Sequence, residues 1–186
     1  MALRIIAGEL KGRKLRSVPG IKTRPTANRI REAVFNILAF QIHGTTVLDL
    51  FAGTGAYGVE ALSRGAESAV FVDIDSESIS VLRENIALVA LENRTQVIQW
   101  NLARNLSFLR SLKPAFNLIF IDPPYNRNLV ASTLHHLHRS HSLKTGARVV
   151  VEHSRLETFP SSHLPFELSD QRRYGKTLVS FLNYMV

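Results

Sequence analysis

The 186-residue chain is long enough for one ordinary domain and too short for two full-sized ones. Its 45% hydrophobic and 20% charged residues fit a packed globular domain. With no cysteine, it excludes a disulfide framework, a thiolate-held iron–sulfur cluster, a cysteine zinc site and a cysteine nucleophile.

The net charge of +8 is unevenly placed: residues 1–40 carry nine basic side chains against Glu9 and Glu32, and the remainder is close to neutral. Charge concentrated at one end is the electrostatic footprint of a polyanion partner, whereas a solvated basic face is the bland alternative. The longest apolar runs, such as Leu118 to Ile121, fall far short of the roughly 18 residues that a membrane span needs. No signal peptide is read at the N-terminus. The expectation is a soluble, cytoplasmic protein, with a monomer as the default.

In chain order, Arg4 to Leu15 carries Gly8 and Gly12 between apolar pairs and reads as a short β-ribbon with tight turns. Pro19-Gly20 ends it, and Thr23-Arg24-Pro25 is an extended lead-in with Thr26 as the expected N-cap. Ile30, Val34, Ile37 and Leu38 then form the stripe of an amphipathic helix. From Thr46 onward strands and helices alternate. Strands are predicted over Thr46–Phe51, Ser68–Asp73, Thr95–Trp100, Phe116–Ile121 and Ala147–Glu152. Helices are predicted over Tyr57–Arg64, Glu77 to about Leu91, around Leu102, Leu106 and Leu109, and from Leu129 to about His138. The segments Phe166–Arg173 and Thr177–Tyr184 flank Tyr174-Gly175-Lys176 as a hairpin at the sheet edge. The fold class is α/β: a seven-stranded, mostly parallel, doubly wound sheet with a C-terminal antiparallel hairpin. Residues 1–40 form a small basic extension of ribbon and helix, and 41–186 the main domain. Ligands of such sheets bind beyond the carboxyl ends of the strands.

The first of those strand ends reads Asp49-Leu50-Phe51-Ala52-Gly53-Thr54-Gly55-Ala56-Tyr57-Gly58. Gly53, Gly55 and Gly58 follow G-x-G-x-x-G spacing at the mouth of a helix, and Asp73 ends the second strand 20 positions after Gly53. NAD and S-adenosylmethionine both fit that pattern. The fourth strand runs into Asp122-Pro123-Pro124-Tyr125, a stiff loop presenting the Asp122 carboxylate and the Pro123 carbonyl as acceptors beside a flat ring. Acceptors next to a stacking platform describe a site for the exocyclic amine of a base.

Asp122-Pro123-Pro124-Tyr125 resembles the D/N-P-P-Y/F motif of S-adenosylmethionine-dependent amino methyltransferases, and Asp49 to Gly58 resembles their cofactor motif. Arg4-Ile5-Ile6-Ala7-Gly8 with Lys11-Gly12-Arg13, Arg24-Pro25-Thr26, and Arg31-Glu32 with Phe35-Asn36 and Leu38 are similar to the bacterial 16S rRNA (guanine(966)-N(2))-methyltransferase family, as is Tyr174-Gly175-Lys176. The resemblance spans nearly the whole chain. It implies a Rossmann-like class I methyltransferase acting on the N2 amine of a guanine in 16S rRNA, within the 30S subunit or an assembly intermediate. It places Asp49 and the Gly53–Gly55 turn at the methionine portion of the cofactor, with Phe51 also at the cofactor. Asp73 falls at the ribose and Ile74 on the adenine. Asn101 stands where many relatives have an Asp that accepts from the adenine amine, and Leu102 offers its backbone N–H.

Asp122, Pro123, Pro124 and Tyr125 are the expected catalytic loop. Arg4, Lys11, Arg13, Lys14, Arg24, Arg29, Arg31 and Lys176 are the expected RNA contacts. Arg172 and Arg173 either touch RNA or charge an edge strand. The cluster of His135, His136, His138 and His141 is read as a solvated or RNA-facing surface, Trp100 as core, and no metal is expected. The rivals are an adenine N6 methyltransferase, an NAD-dependent oxidoreductase that leaves Asp122 to Tyr125 idle, and a non-enzymatic ribosome-assembly factor.

Overall fold

Alternation along the inner strands explains how the chain builds two apolar layers around one sheet. In the computed structural model, which describes residues 3–18, 20, 25–112, 115–157 and 164–186, β1 is Thr46–Leu50, β2 Ser68–Asp73, β3 Thr95–Gln99 and β4 Phe116–Ile121. β5 is Leu143–Ser154, β6 Phe166–Tyr174 and β7 Thr177–Tyr184. The seven strands lie in the order β3-β2-β1-β4-β5-β7-β6. β1 to β5 are parallel to one another, and β7 runs antiparallel between β5 and β6. Successive side chains of a strand point to opposite faces. Accordingly Val47, Phe71, Leu118 and Phe120 enter one core cluster, while Leu48, Val72, Ile119 and Ile121 enter the other.

The helices α1 (Pro25–Ile37), α2 (Ala56–Ser63) and α3 (Ser76–Leu88) cover the first face, and α4 (Leu129–Ser140) covers the second. The predicted stripe of α1 buries Ile30, Val34 and Leu38, with Phe35 beside them. Its N-terminus differs from expectation, because Pro25 opens the helix and Thr26 lies inside it. Proline suits that first position, where its missing N–H has no partner to lose. Arg24 lies outside the described residues. At α3 the cap is Asp75, which accepts from the Ser78 amide at 2.7 Å.

The helix expected around Leu102, Leu106 and Leu109 is only a 3₁₀ turn at Ser107–Ser111. Asn101 and Asn105 explain this. Their side-chain oxygens accept from the Ala103 and Ser107 amides at 3.0 and 3.1 Å, giving the backbone local turns in place of a helix. The three leucines are buried all the same. β5 starts earlier than predicted, and in the hairpin it is β6 that forms the edge.

The N-terminal ribbon is narrow: Arg4 and Lys14 form an antiparallel bridge, and the Leu15 amide donates to the Leu3 carbonyl at 2.9 Å. It docks on α2 through the buried Glu60, whose oxygens accept from the Ile6 and Ala7 amides at 2.7 and 3.0 Å. Gly8 permits that approach, since a Cβ there would fall 1.8 Å from the Ser63 carbonyl oxygen. Leu3, Ile5 and Leu15 thereby join the same core as α1 and the sheet. Among the described residues no helix is long and apolar enough to cross a membrane.

Candidate active site

The order of the strands reverses between β1 and β4, and the residues that follow these two strands open into one cavity of about 590 Å³. Asp49, Phe51, Gly53, Asp122 and Tyr125 all line it. The two motifs, more than sixty positions apart in sequence, therefore share a single site.

The turn after β1 is wound tightly. Phe51, Gly53 and Gly55 have φ of 61°, 53° and 79°, so three residues within five occupy the left-handed region. For Phe51 that conformation is a local strain, held where the chain bends around the cavity. Gly55 starts α2, and a Cβ on it would meet Leu82 Cδ1 at 2.3 Å. At Gly58 a Cβ would fall 2.3 Å from Phe71 Cε1, so this glycine lets α2 close on β2.

Asp49 is 2% exposed, and one carboxylate oxygen accepts from the Gly58 amide at 2.9 Å. Burial pushes its carboxyl up to about 8, against the pull of that amide. Asp73 Oδ2 accepts from the Gly53 amide at 2.8 Å and Oδ1 from the Asp75 amide at 3.0 Å, so this acid also braces the turn. Ile74 next to it is 54% exposed, an apolar side chain standing free at a strand end. Leu102 is buried, and the side-chain oxygen of Asn101 is already engaged by the Ala103 amide. Trp100 is half-buried rather than core; it packs on Phe108 with ring centroids 5.0 Å apart and donates from Nε1 to the Asn105 carbonyl.

In the loop after β4, Pro123 is buried and Pro124 is exposed. Burial holds the Asp122 carboxyl well above its usual range, and the Glu152 and Asp49 carboxylates push it the same way. Tyr125 is 40% exposed, yet its hydroxyl is tied down: it donates to Glu152 Oε1 at 2.5 Å and lies 3.0 Å from Thr177 Oγ1. Tyr57, from the first turn of α2, donates to Glu152 Oε2 at 3.1 Å. Sequence reasoning does not single out Glu152 or Tyr57. The signal that could have found the acid is its place at the close of an otherwise apolar strand, Val149-Val150-Val151-Glu152.

The expected RNA contacts divide. Lys11, Lys14, Arg29 and Lys176 are exposed, and Lys176 also borders the cavity. Arg4 is exposed and donates to the Gly12 carbonyl at 3.0 Å. Arg13 points its guanidinium at the Leu88 and Val89 carbonyls, closing the C-terminal end of α3. Arg31 departs most from an outward-facing cation: it is 3% exposed, forms part of the cavity wall and donates to the Arg4 carbonyl at 2.5 Å. Arg172 pairs with Asp170 at 2.9 Å, and Arg173 donates to the Gly175 carbonyl. In the histidine cluster, His138 Nδ1 lies 3.0 Å from the Tyr184 hydroxyl. Among the described residues no three His, Cys, Asp or Glu side chains are grouped to hold a metal.

Of the residues expected at a cofactor, Asp49, Phe51 and Gly53 line the cavity, and the buried Asp49 carboxyl is an acid able to meet a cationic amine. Asp73, Ile74, Asn101 and Leu102 do not line it, and Asp73 reaches it only through its bond to the Gly53 amide. The chain matches the family described as "Conserved hypothetical protein 95" over residues 3–183. It is 34% identical over 178 residues to "Putative rRNA methyltransferase YlbH" of Bacillus subtilis strain 168, covering 96% of this chain and 97% of that one. It is 38% identical over 150 residues to "Ribosomal RNA small subunit methyltransferase D" of Escherichia coli strain K12, covering 81% of this chain and 74% of that one. Among solved structures, "Putative methyltransferase yhhF from Escherichia coli" superposes with a TM-score of 0.84 at 34% identity, covering 100% of this chain and 99% of the other.

Proposed function

Since this chain belongs to the Conserved hypothetical protein 95 family, we propose that it is an S-adenosylmethionine-dependent rRNA methyltransferase whose target is the N2 amine of a guanine in 16S rRNA. The observation that carries this reading is the shared cavity, which brings the glycine turn after β1 and the Asp122–Tyr125 loop after β4 to one opening. An oxidoreductase or a purely structural assembly factor would leave the second of these without a use.

When bound, the cofactor supplies an electrophilic methyl group on a sulfonium. The residues proposed to hold it are Asp49, Phe51 and the Gly53–Gly55 turn at the methionine portion, and Asp73, Ile74, Asn101 and Leu102 at the nucleoside. The reacting amine is a weak nucleophile, because its lone pair is delocalised into the purine. The Asp122 carboxylate and the Pro123 carbonyl accept its N–H bonds, which favours a pyramidal nitrogen and offsets the positive charge that develops there. Fixed acceptors do this without reorganising, and the two prolines fix them. Tyr125, part of the cavity lining, offers its ring to a base drawn out of its stack, with its hydroxyl anchored on Glu152. Asp122 takes the released proton directly or passes it to water.

The exposed cations Lys11, Lys14 and Arg29, with Lys176 at the cavity rim, are proposed to hold the phosphates of the small-subunit RNA. The active unit is taken to be a cytoplasmic monomer that uses no metal. The test is incubation with methyl-labelled cofactor and either 30S particles or naked 16S RNA, followed by mapping of the modified base. Label on a guanine N2 carries the reading; label on adenine N6, or none with cofactor bound, overturns it.

A further inference from the structure

We propose that Glu152 reads the Watson–Crick edge of the target base, accepting N1–H of guanine beside the amine that Asp122 engages. This rests on the guanine-N2 reading above and names the residue that makes the site choose guanine.

The placement follows from the sheet. β4 and β5 are parallel neighbours, and Ile121 pairs with Val151. Asp122 and Glu152 are the next residues along these two strands. Paired strands lie about 4.8 Å apart, so two acids stand side by side at the carboxyl end of the sheet, and both line the cavity. Burial raises both carboxyls, against the pull of the two phenols on Glu152. Donors brought by the base favour the ionised form, in which a carboxylate accepts hydrogen bonds and donates none. Guanine alone among the four RNA bases sets two donors, N1–H and the C2 amine, next to each other on that edge. Adenine places a ring lone pair beside its amine, and a carboxylate facing a lone pair repels it. The second acid thus rejects the wrong base as well as holding the right one. The remaining group on the guanine edge, O6, is an acceptor. Arg31 and Lys176, donors only, belong to the same wall.

Glu152 is held for this task rather than spent elsewhere. The Tyr57 and Tyr125 hydroxyls take one position on each of its oxygens, at 3.1 and 2.5 Å. A carboxylate has about four acceptor positions, so the phenols leave room for the base. Because they come from the two halves of the site, they fix the carboxylate relative to both.

The experiment compares 30S particles carrying guanine or 2-aminopurine at the nucleotide that the wild-type protein modifies. 2-Aminopurine keeps the C2 amine but presents a lone pair at N1. Wild type is expected to prefer guanine by about a hundredfold or more. Glu152→Gln, whose carboxamide can turn an N–H toward that lone pair, is expected to lose rate on guanine and to narrow the preference by about tenfold or more. Competition between the two particles for the cofactor-free protein should move in the same direction. Equal turnover of both particles by wild type would overturn the assignment with no variant needed. A guanine preference that survives Glu152→Gln would overturn the assignment while leaving the methyltransferase reading intact. Absence of transfer to guanine particles by wild type would bring down that reading, and this assignment with it.

Discussion

The Gly53 amide donates to Asp73 Oδ2 at 2.8 Å, so the acid at the end of β2 latches the glycine turn at the end of β1. Its other oxygen takes the Asp75 amide, and about two acceptor positions remain for a ribose diol. Asp73→Ala removes the acceptor of two backbone donors and is expected to lower unfolding stability by about 1–3 kcal/mol. It should also raise the dissociation constant for S-adenosylmethionine by about tenfold or more. Asp73→Asn, which keeps one acceptor oxygen, should recover part of both losses. Urea denaturation and calorimetric titration check this; unchanged affinity in the alanine variant would remove Asp73 from the cofactor site.

Asp49, proposed to meet the cationic amine of the cofactor, should make cofactor binding depend on pH. Its carboxyl sits at about 8 in the folded chain against an ordinary 3.8, because burial disfavours the charged form. Between those values the folded state keeps a proton that the unfolded state has lost, so this group's contribution to stability falls as pH rises from about 4 to about 8. Asp49→Asn should flatten that part of the thermal stability profile. A cationic amine placed against Asp49 favours the carboxylate, so binding at pH 7 should release a proton. Calorimetry in buffers of different ionisation enthalpy measures it, and no buffer dependence would mean that Asp49 does not meet the amine.

How much of the site is legible in the sequence depends on how far apart the cooperating residues lie. Asp49 to Gly58 and Asp122 to Tyr125 are contiguous, and each sits where an apolar strand stops, so residue type and spacing alone point to a strand-end site. Glu152 gains its meaning only from the pairing of β4 with β5, which puts it beside Asp122, and from a phenol on α2. Arg31 reads as one more cation of a basic helix, yet the docking of the N-terminal ribbon buries it against the Arg4 carbonyl. The leucines at 102, 106 and 109 follow helical spacing, but Asn101 and Asn105 capture the local amides, a competition that periodicity alone does not register.

Gly58 serves packing where Gly55 serves the turn. Its φ is not in the left-handed region, so Gly58→Ala acts through the 2.3 Å approach to the buried Phe71 ring. Overpacking of this kind is expected to cost about 1–3 kcal/mol. Combining it with Phe71→Leu, which withdraws the aromatic ring, should recover part of the loss. Denaturation midpoints of the single and double variants measure the coupling; strictly additive losses would show that α2 closes on β2 through other contacts.

The role proposed for Asp122 should be separable from cofactor binding. Asp122→Ala removes the acceptor proposed for the reacting amine and is expected to slow methyl transfer by about 10²–10³ or more. The dissociation constant for S-adenosylmethionine should stay nearly unchanged, since Asp122 lies on the β4 side of the cavity. Single-turnover rates beside calorimetric affinities make the comparison. A variant that turns over like wild type would remove Asp122 from the reaction.

The cations of residues 1–40 are not equivalent, and burial sorts them. Lys11, Lys14 and Arg29 are exposed, so neutralising all three should weaken RNA binding without altering cofactor affinity. Each lost phosphate contact should reduce the slope of log affinity against log salt by about 0.7–0.9. Arg31 should behave differently. It is buried in the cavity wall and tied to the Arg4 carbonyl, so Arg31→Ala should lower the melting temperature and loosen the N-terminal ribbon. Salt-dependent filter binding and thermal melts of the triple variant and of Arg31→Ala test the division. A salt slope unchanged in the triple variant would remove those three residues from the RNA interface, and a stable Arg31→Ala with a reduced slope would return Arg31 to it.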